Sequence, residues 1–141
     1  MKILLAIDGS EVSQRALHSL LGHVQWFRDK PEVHLLHVHL PVPVGLAVQH
    51  VSQDVLDRYY REEGEAVLAA ARTELAAAGI ATAVHIHVGQ PAEIIVKLAG
   101  ELGCDLICMG THGRGALAGA MLGSVAAKVL HHAAVPVLLA K

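Results

Sequence analysis

The amino-acid sequence predicts an α/β fold in one domain spanning residues 1–141: a doubly wound sheet of five parallel strands with helices on both faces. Three observations carry this. Apolar runs of strand length alternate along the chain with stretches whose apolar residues recur every three or four positions, the pattern of strands joined by crossover helices. The composition is 53% hydrophobic but only 3% aromatic, which calls for a core of Ala, Val, Leu and Ile. No linker, repeat or low-complexity stretch divides the chain, and its length buries a core without disulfides or metal.

The elements follow in order. KILLAID is a continuous apolar strand, punctuated by DGS. Ser10 can cap a helix whose Ala16, Leu17, Leu20, Leu21 and Val24 share one buried face. EVHLLHVHL is the second strand, and PVPVGLAVQHVSQ (41–53), with two prolines and a glycine, reads as a loop. From about Asp54 to Ala78, Leu56, Tyr60, Gly64, Val67, Ala71, Leu75 and Ala78 mark a long amphipathic helix ended by Gly79. TAVHIHV alternates strictly, with Val84, Ile86 and Val88 on one side and Ala83, His85 and His87 on the other. That pattern suits a sheet edge with one wetter face. Pro91 sits where a helix's first turn tolerates it, Ile94, Ile95, Leu98, Ala99 and Leu102 supply the buried face, and Gly103 stops the helix. DLICMG is the fourth strand, GSVAAKVLHHA the last helix and VPVLLA the final strand.

Several function classes are excluded. A formal net charge of -2 offers no basic surface for nucleic acid. Asp8 breaks the opening apolar run, so no leader is read there, and the weakly polar run Ala116 to Ala127 is too short and glycine-rich to span a bilayer. If both sit in one extended segment, Cys104 and Cys108 lie about 13 Å apart, too far to bridge. Their spacing matches neither a redox pair nor a zinc knuckle, so a reduced, cytoplasmic protein is expected. His37 and His39 share a strand face, as do His85 and His87, and each pair could touch one ion. A structural zinc site wants four ligands, which the cysteines are not placed to complete, so no metal site is assigned to protein ligands alone.

The chemistry concentrates in residues 109–125, MGTHGRGALAGAMLGSV, with five glycines, Arg114, two hydroxyl residues and no acid. A P-loop would need a lysine after its last glycine, and none is present. GRGALA matches a bare dinucleotide pattern, but that fingerprint wants an acid about twenty residues on, and no Asp or Glu follows Asp105. A split arrangement remains. Gly110 and Gly113 turn the chain at the end of the fourth strand, while Gly123 and Ser124 open the last helix. Amides from both would converge on one anion, aided by the helix dipole. Arg114 and the Ser124 hydroxyl would add donors. Asp8 is read either as a turn former in DGS or as a site residue.

Residues 109–125 resemble the signature of the nucleotide-binding branch of the universal stress protein family, G-x2-G-x9-G-[ST], which Gly110, Gly113, Gly123 and Ser124 match. ILLAIDGSEVSQRAL, LLHV, GQPAEIIVKLAGELGCDLICMGTHG and VLHHAAVPVLL extend the likeness over the chain. The resemblance implies strand order 3-2-1-4-5, with the ligand crevice between the first and fourth strands. It also implies an adenine nucleotide, ATP or ADP or AMP, as ligand. Asp8 would lie near ribose and phosphates, and the Val38 backbone would recognise adenine. Met109, Gly110, Thr111, His112, Gly113, Arg114 and Gly115 would line the triphosphate; Gly123, Ser124 and Val125 would take phosphates at the helix start. Some members carry a hydroxyl two positions after Ser124; here Ala126 removes that donor. Because a carboxylate facing phosphates is repulsive, Mg²⁺ is expected alongside a triphosphate. The last strand, Val135 to Ala140, carries Pro136 as an edge strand does, and the resemblance implies that it pairs with its twin in a homodimer.

The expected function is a nucleotide-dependent stress-response or regulatory module acting on an unidentified partner. The phosphate region offers donors but no water-positioning Gln and no acid pair, so any hydrolysis is slow and no catalytic residue is assigned. Two alternatives stand beside it. An adenylyl-transferring enzyme would use the 41–53 loop as a substrate wall. A nucleotide-independent dimeric stress protein is the other, although that branch generally lacks the glycine signature.

Overall fold

The computed structural model describes residues 1–43, 51–113 and 122–141. Nine principal elements are described, with a short 3-10 turn at Val24–Trp26: β1 (Lys2–Ala6), α1 (Glu11–Gly22), β2 (Glu32–His39), α2 (Gln53–Ala77), β3 (Thr82–Val88), α3 (Pro91–Glu101), β4 (Leu106–Gly110), α4 (Ser124–His132) and β5 (Val137–Ala140). All strand pairings are parallel and the order is β3-β2-β1-β4-β5. The fold is therefore the doubly wound five-stranded sheet that the alternating pattern predicts.

Helices α1 and α2 cover one face and α3 and α4 the other, giving two apolar layers. Ile3, Leu5, Leu17, Leu35, Leu68 and Leu75 fill the first layer, with Leu4, Leu36, Ile95, Ile107 and Val129 in the second. Period-two alternation explains the division: Ile3 and Leu5 point to one side of β1 and Leu4 to the other. Such strands, covered on both faces, read as continuous apolar runs. Cys104 and Cys108 are free and belong to opposite layers.

Helix starts follow their local chemistry. Ser10 Oγ accepts the Ser13 amide at 3.2 Å, and the Ser13 hydroxyl donates to the Ser10 carbonyl at 2.8 Å. Gly9 has φ 80, a conformation that favours glycine in the turn from β1 into α1. Helix α1 ends at Gly22, so Val24 falls in the following 3-10 turn rather than in the helix. At β3 the apolar side is only partly covered: Ile86 is half-buried beneath Gly64 of α2, while Val84 and Val88 are exposed at either end.

The path decides where a site can form. From β1 the chain continues through β2 and β3 on one side and through β4 and β5 on the other. The loops leaving β1 and β4 consequently diverge and open a crevice at their carboxyl ends.

Candidate functional site

A crevice of about 230 Å³ opens at that switch point. Its inner end is apolar, formed by Leu36 and Val38 of β2, Pro91 and Ile95 of α3 and Met109 of β4. Its outer end is polar, formed by Asp8, His112, Gly113 and the first turn of α4.

Asp8 follows β1, and its Oδ1 accepts the Ser10 amide at 2.9 Å, an Asx turn that fixes the carboxylate. Its other oxygen leans against the β4 loop: a β-carbon on Gly113 would meet Asp8 Oδ2 at 2.7 Å. Asp8 thus forms the turn and also lines the crevice.

Each motif glycine has a steric reason. A β-carbon at Gly110 would lie 2.9 to 3.1 Å from Val12 side-chain and backbone atoms, so glycine admits the start of α1 against the end of β4. One at Gly123 would lie 3.2 Å from both the Thr111 oxygen and His112 Cα. The Gly123 amide donates to that Thr111 carbonyl at 2.8 Å, closing the loop onto the helix start. The two glycine clusters therefore meet, as the split motif predicts.

Helix α4 begins at Ser124 with Gly123 as N-cap and no side-chain cap. The first helical amide with a described acceptor is that of Ala127, which donates to the Gly123 carbonyl at 2.9 Å. Among the described residues nothing accepts from Ser124, Val125 or Ala126, whose amides lie in the turn lining the crevice. Those unsatisfied donors and the helix dipole make the outer end attractive to an anion. Ala126 is buried in the wall and offers only its amide.

Val38 lies where β2 outruns its neighbour. The Ile7 amide donates to the Leu36 carbonyl at 2.9 Å, while the Gly89 amide donates to the His39 carbonyl at 2.8 Å. In a parallel ladder this alternation turns the Val38 amide and carbonyl toward the β1 side, just beyond the end of β1. The Ile7 carbonyl, the natural acceptor there, instead takes the His37 Nδ1–H at 2.8 Å. Buried His37 thus keeps the backbone of Val38 available to the crevice, a role that its pairing with His39 on one strand face does not reveal.

Thr111 stands behind the wall. It is buried, its amide donates to the Ala140 carbonyl at 2.8 Å and its carbonyl accepts from Gly123. Its hydroxyl lies 2.9 Å from His112 Nδ1 and orients that ring. Thr111 therefore braces the loop, whereas Met109, Gly110, His112, Gly113, Gly123, Ser124 and Val125 line the crevice with Asp8 and Val38. Arg114 and Gly115, and most of the 41–53 loop, lie outside the described residues. Pro91 and Ile95 form a wall that sequence reasoning missed. Their helical spacing announces burial but not what they face.

Among the described residues no group of three or more His, Cys, Asp or Glu is placed to hold a metal ion. The histidines have other partners: His39 Nε2–H donates to the Tyr60 carbonyl at 2.8 Å, and His34 Nδ1 and His85 Nε2 are 3.0 Å apart. No described helix is long and apolar enough to cross a membrane.

The profile of the universal stress protein family matches residues 1–141. A universal stress protein of Methanocaldococcus jannaschii, MJ0531, is 33% identical over 99% of this chain and 81% of its own length. Universal stress protein YxiE of Bacillus subtilis is 31% identical over 99% of this chain and 98% of its own. The solved structure of MJ0577, also from M. jannaschii, superposes with a TM-score of 0.84 at 33% identity, covering 99% of this chain and 94% of that one. A universal stress protein solved in complex with cAMP superposes at 0.71 and 25% identity, over 100% of this chain and 97% of that one.

Proposed function

The chain belongs to the universal stress protein family, and on that premise we propose that its crevice binds an adenine nucleotide and that the bound state regulates the protein. One observation carries the reading: an apolar slot beside the open backbone of Val38 runs directly into the unsatisfied amides of Ser124, Val125 and Ala126. A purine needs a flat apolar surface with one or two backbone hydrogen bonds, and a phosphate needs converging amides. The cAMP complex of a structurally similar relative supports the same ligand class.

In this reading the base lies against Leu36, Val38, Ile95 and Met109, with the phosphates toward Gly113 and the start of α4. Asp8 is held by Ser10 at the polar end, close to ribose hydroxyls or to a Mg²⁺ that accompanies a triphosphate. Arg114 and Gly115 belong to the same phosphate loop by sequence. Among the described residues the crevice wall pairs no base with a second acid, which favours binding over turnover as the function, in a reducing cytoplasmic setting. The β5 edge, with Leu138 exposed, pairs with a second copy as family membership implies.

Calorimetric titration with ATP, ADP, AMP and cAMP, with and without Mg²⁺, tests the reading. Saturable binding of at least one adenine nucleotide is expected. No heat from any of them up to millimolar concentration refutes it.

A further inference from the structure

The opposite edge of the sheet carries a second feature, one that the nucleotide reading does not use. Among the described residues strand β3 is paired only by β2, and TAVHIHV contains neither the proline nor the lysine that commonly guards an open edge. Val84 and Val88 are 37% and 42% exposed. With Ile86 they floor a groove of about 420 Å³ between β3 and α2. Its rim carries exposed α2 charges that alternate in sign along the helix: Asp57, Arg61, Glu65 and Arg72.

We infer that this edge pairs antiparallel with β3 of a second copy of the chain, about a twofold axis at Ile86. Three features share that centre. Strand β3 is symmetric about Ile86, so antiparallel pairing sets Val84 opposite Val88 and His85 opposite His87 of the second copy. Gly64 lies over the same point, since a β-carbon there would meet Ile86 Cγ2 at 2.7 Å. The rim charges are opposed in sign about the turn that holds Gly64: Arg61 three residues before it faces Glu65 one after, and Asp57 seven before it faces Arg72 eight after.

The twofold therefore brings Arg61 toward Glu65 of the second copy and Asp57 toward Arg72 of the second copy, each contact occurring twice. A parallel alignment would set like charges together and is disfavoured. The lengths agree as well. Asp57 to Arg72 spans about 22 Å of helix at 1.5 Å per residue, and Thr82 to Val88 about 20 Å of strand at 3.3 Å per residue. Because β5 lies at the other edge, the two surfaces do not compete.

Sedimentation velocity of the full chain across a concentration series tests this with Arg61→Glu, Glu65→Arg and the double exchange. All three alter exposed positions and keep the fold. Each single exchange is expected to weaken association roughly tenfold or more, by placing like charges opposite one another. The double exchange restores it, and an equimolar mixture of the two single variants forms mixed pairs. Association indifferent to the single exchanges, or absent from the wild type, overturns the inference. The register has its own check. A Val84→Cys/Val88→Cys variant should form disulfide-linked pairs on oxidation, with Cys104 and Cys108 silent because both are buried. Failure to cross-link overturns the antiparallel register.

Discussion

Replacing Ser124 with proline separates the anion cradle from the fold. Proline is favoured at the first position of a helix, where its missing amide has no helical acceptor, and Ser124 holds that position in α4. Proline also restricts the residue before it to extended backbone, and Gly123 already has φ -73 and ψ 157. No described residue accepts from the Ser124 amide, so its removal breaks no described protein contact. The expected change in stability is within about 1 kcal/mol. The consequence for a phosphate is different. One amide and one hydroxyl donor are lost, and a hydrogen bond to a charged group contributes about 1.5–3 kcal/mol. At about 1.4 kcal/mol per tenfold, losing the amide alone weakens binding about 10- to 150-fold. Calorimetry with ATP reads the affinity, and thermal melting of the unliganded protein reads the fold. A variant that melts with the wild type and binds ATP within threefold of it would refute the cradle.

Other perturbations have equally definite outcomes. Asp8→Asn keeps an acceptor for the Ser10 amide but removes the charge, so the dependence of ATP affinity on Mg²⁺ should largely disappear; titrations at several Mg²⁺ concentrations read this. Gly110→Ala drives a β-carbon to about 3 Å from Val12 backbone atoms, which cannot swing away, and should cost about 1–3 kcal/mol. In a chain of this length that lowers Tm by roughly 3–10 °C. Burial pushes the Cys108 thiol up to about 12, so it should resist alkylation at pH 8 until the chain unfolds. His85 is held below the ordinary imidazole range by burial first, then by His34 and His87. The unfolded chain therefore binds the extra proton more readily, so stability is retained above about pH 6.5 and falls as pH drops below it. His85→Gln should flatten that acid limb of a Tm series.

The order of elements was legible because β1 and β4, covered on both faces, appear as unbroken apolar runs, because β2 keeps an apolar run interrupted only by histidines after Glu32, and because α2 and α3 keep helical spacing throughout. The edge position of β3 was legible from its alternation. What its pattern could not convey is that the apolar side is itself half open, because coverage depends on where α2 crosses, and Gly64 sits against Ile86 while Val84 and Val88 stay exposed. The crevice was legible at Asp8, Gly110, Gly113 and Gly123, where turn chemistry marks the chain locally. The walls at Pro91 and Ile95 and the part played by His37 were not. Periodicity records that a side chain is buried, whereas its partner is set by a crossover that brings distant residues together.

The glycine motif shows why spacing alone underdetermines a site. At Gly110 the cause is internal: Val12 fills the space a side chain would need, with or without a ligand. At Gly123 the contact is also internal, yet its effect is to seat the 111–113 turn on the start of α4, beside the open amides of that helix. At Gly113 the contact is with Asp8, the one carboxylate among the described residues of the crevice wall, and the absent side chain sets how closely that charge approaches the polar end. One motif thus mixes a folding requirement with two requirements of the site. Loss of binding in a Gly110 variant would accordingly say little about the ligand, because the junction of α1 and β4 would move with it. Perturbations that leave the backbone in place, at Ser124 and Asp8, isolate the chemistry from the packing.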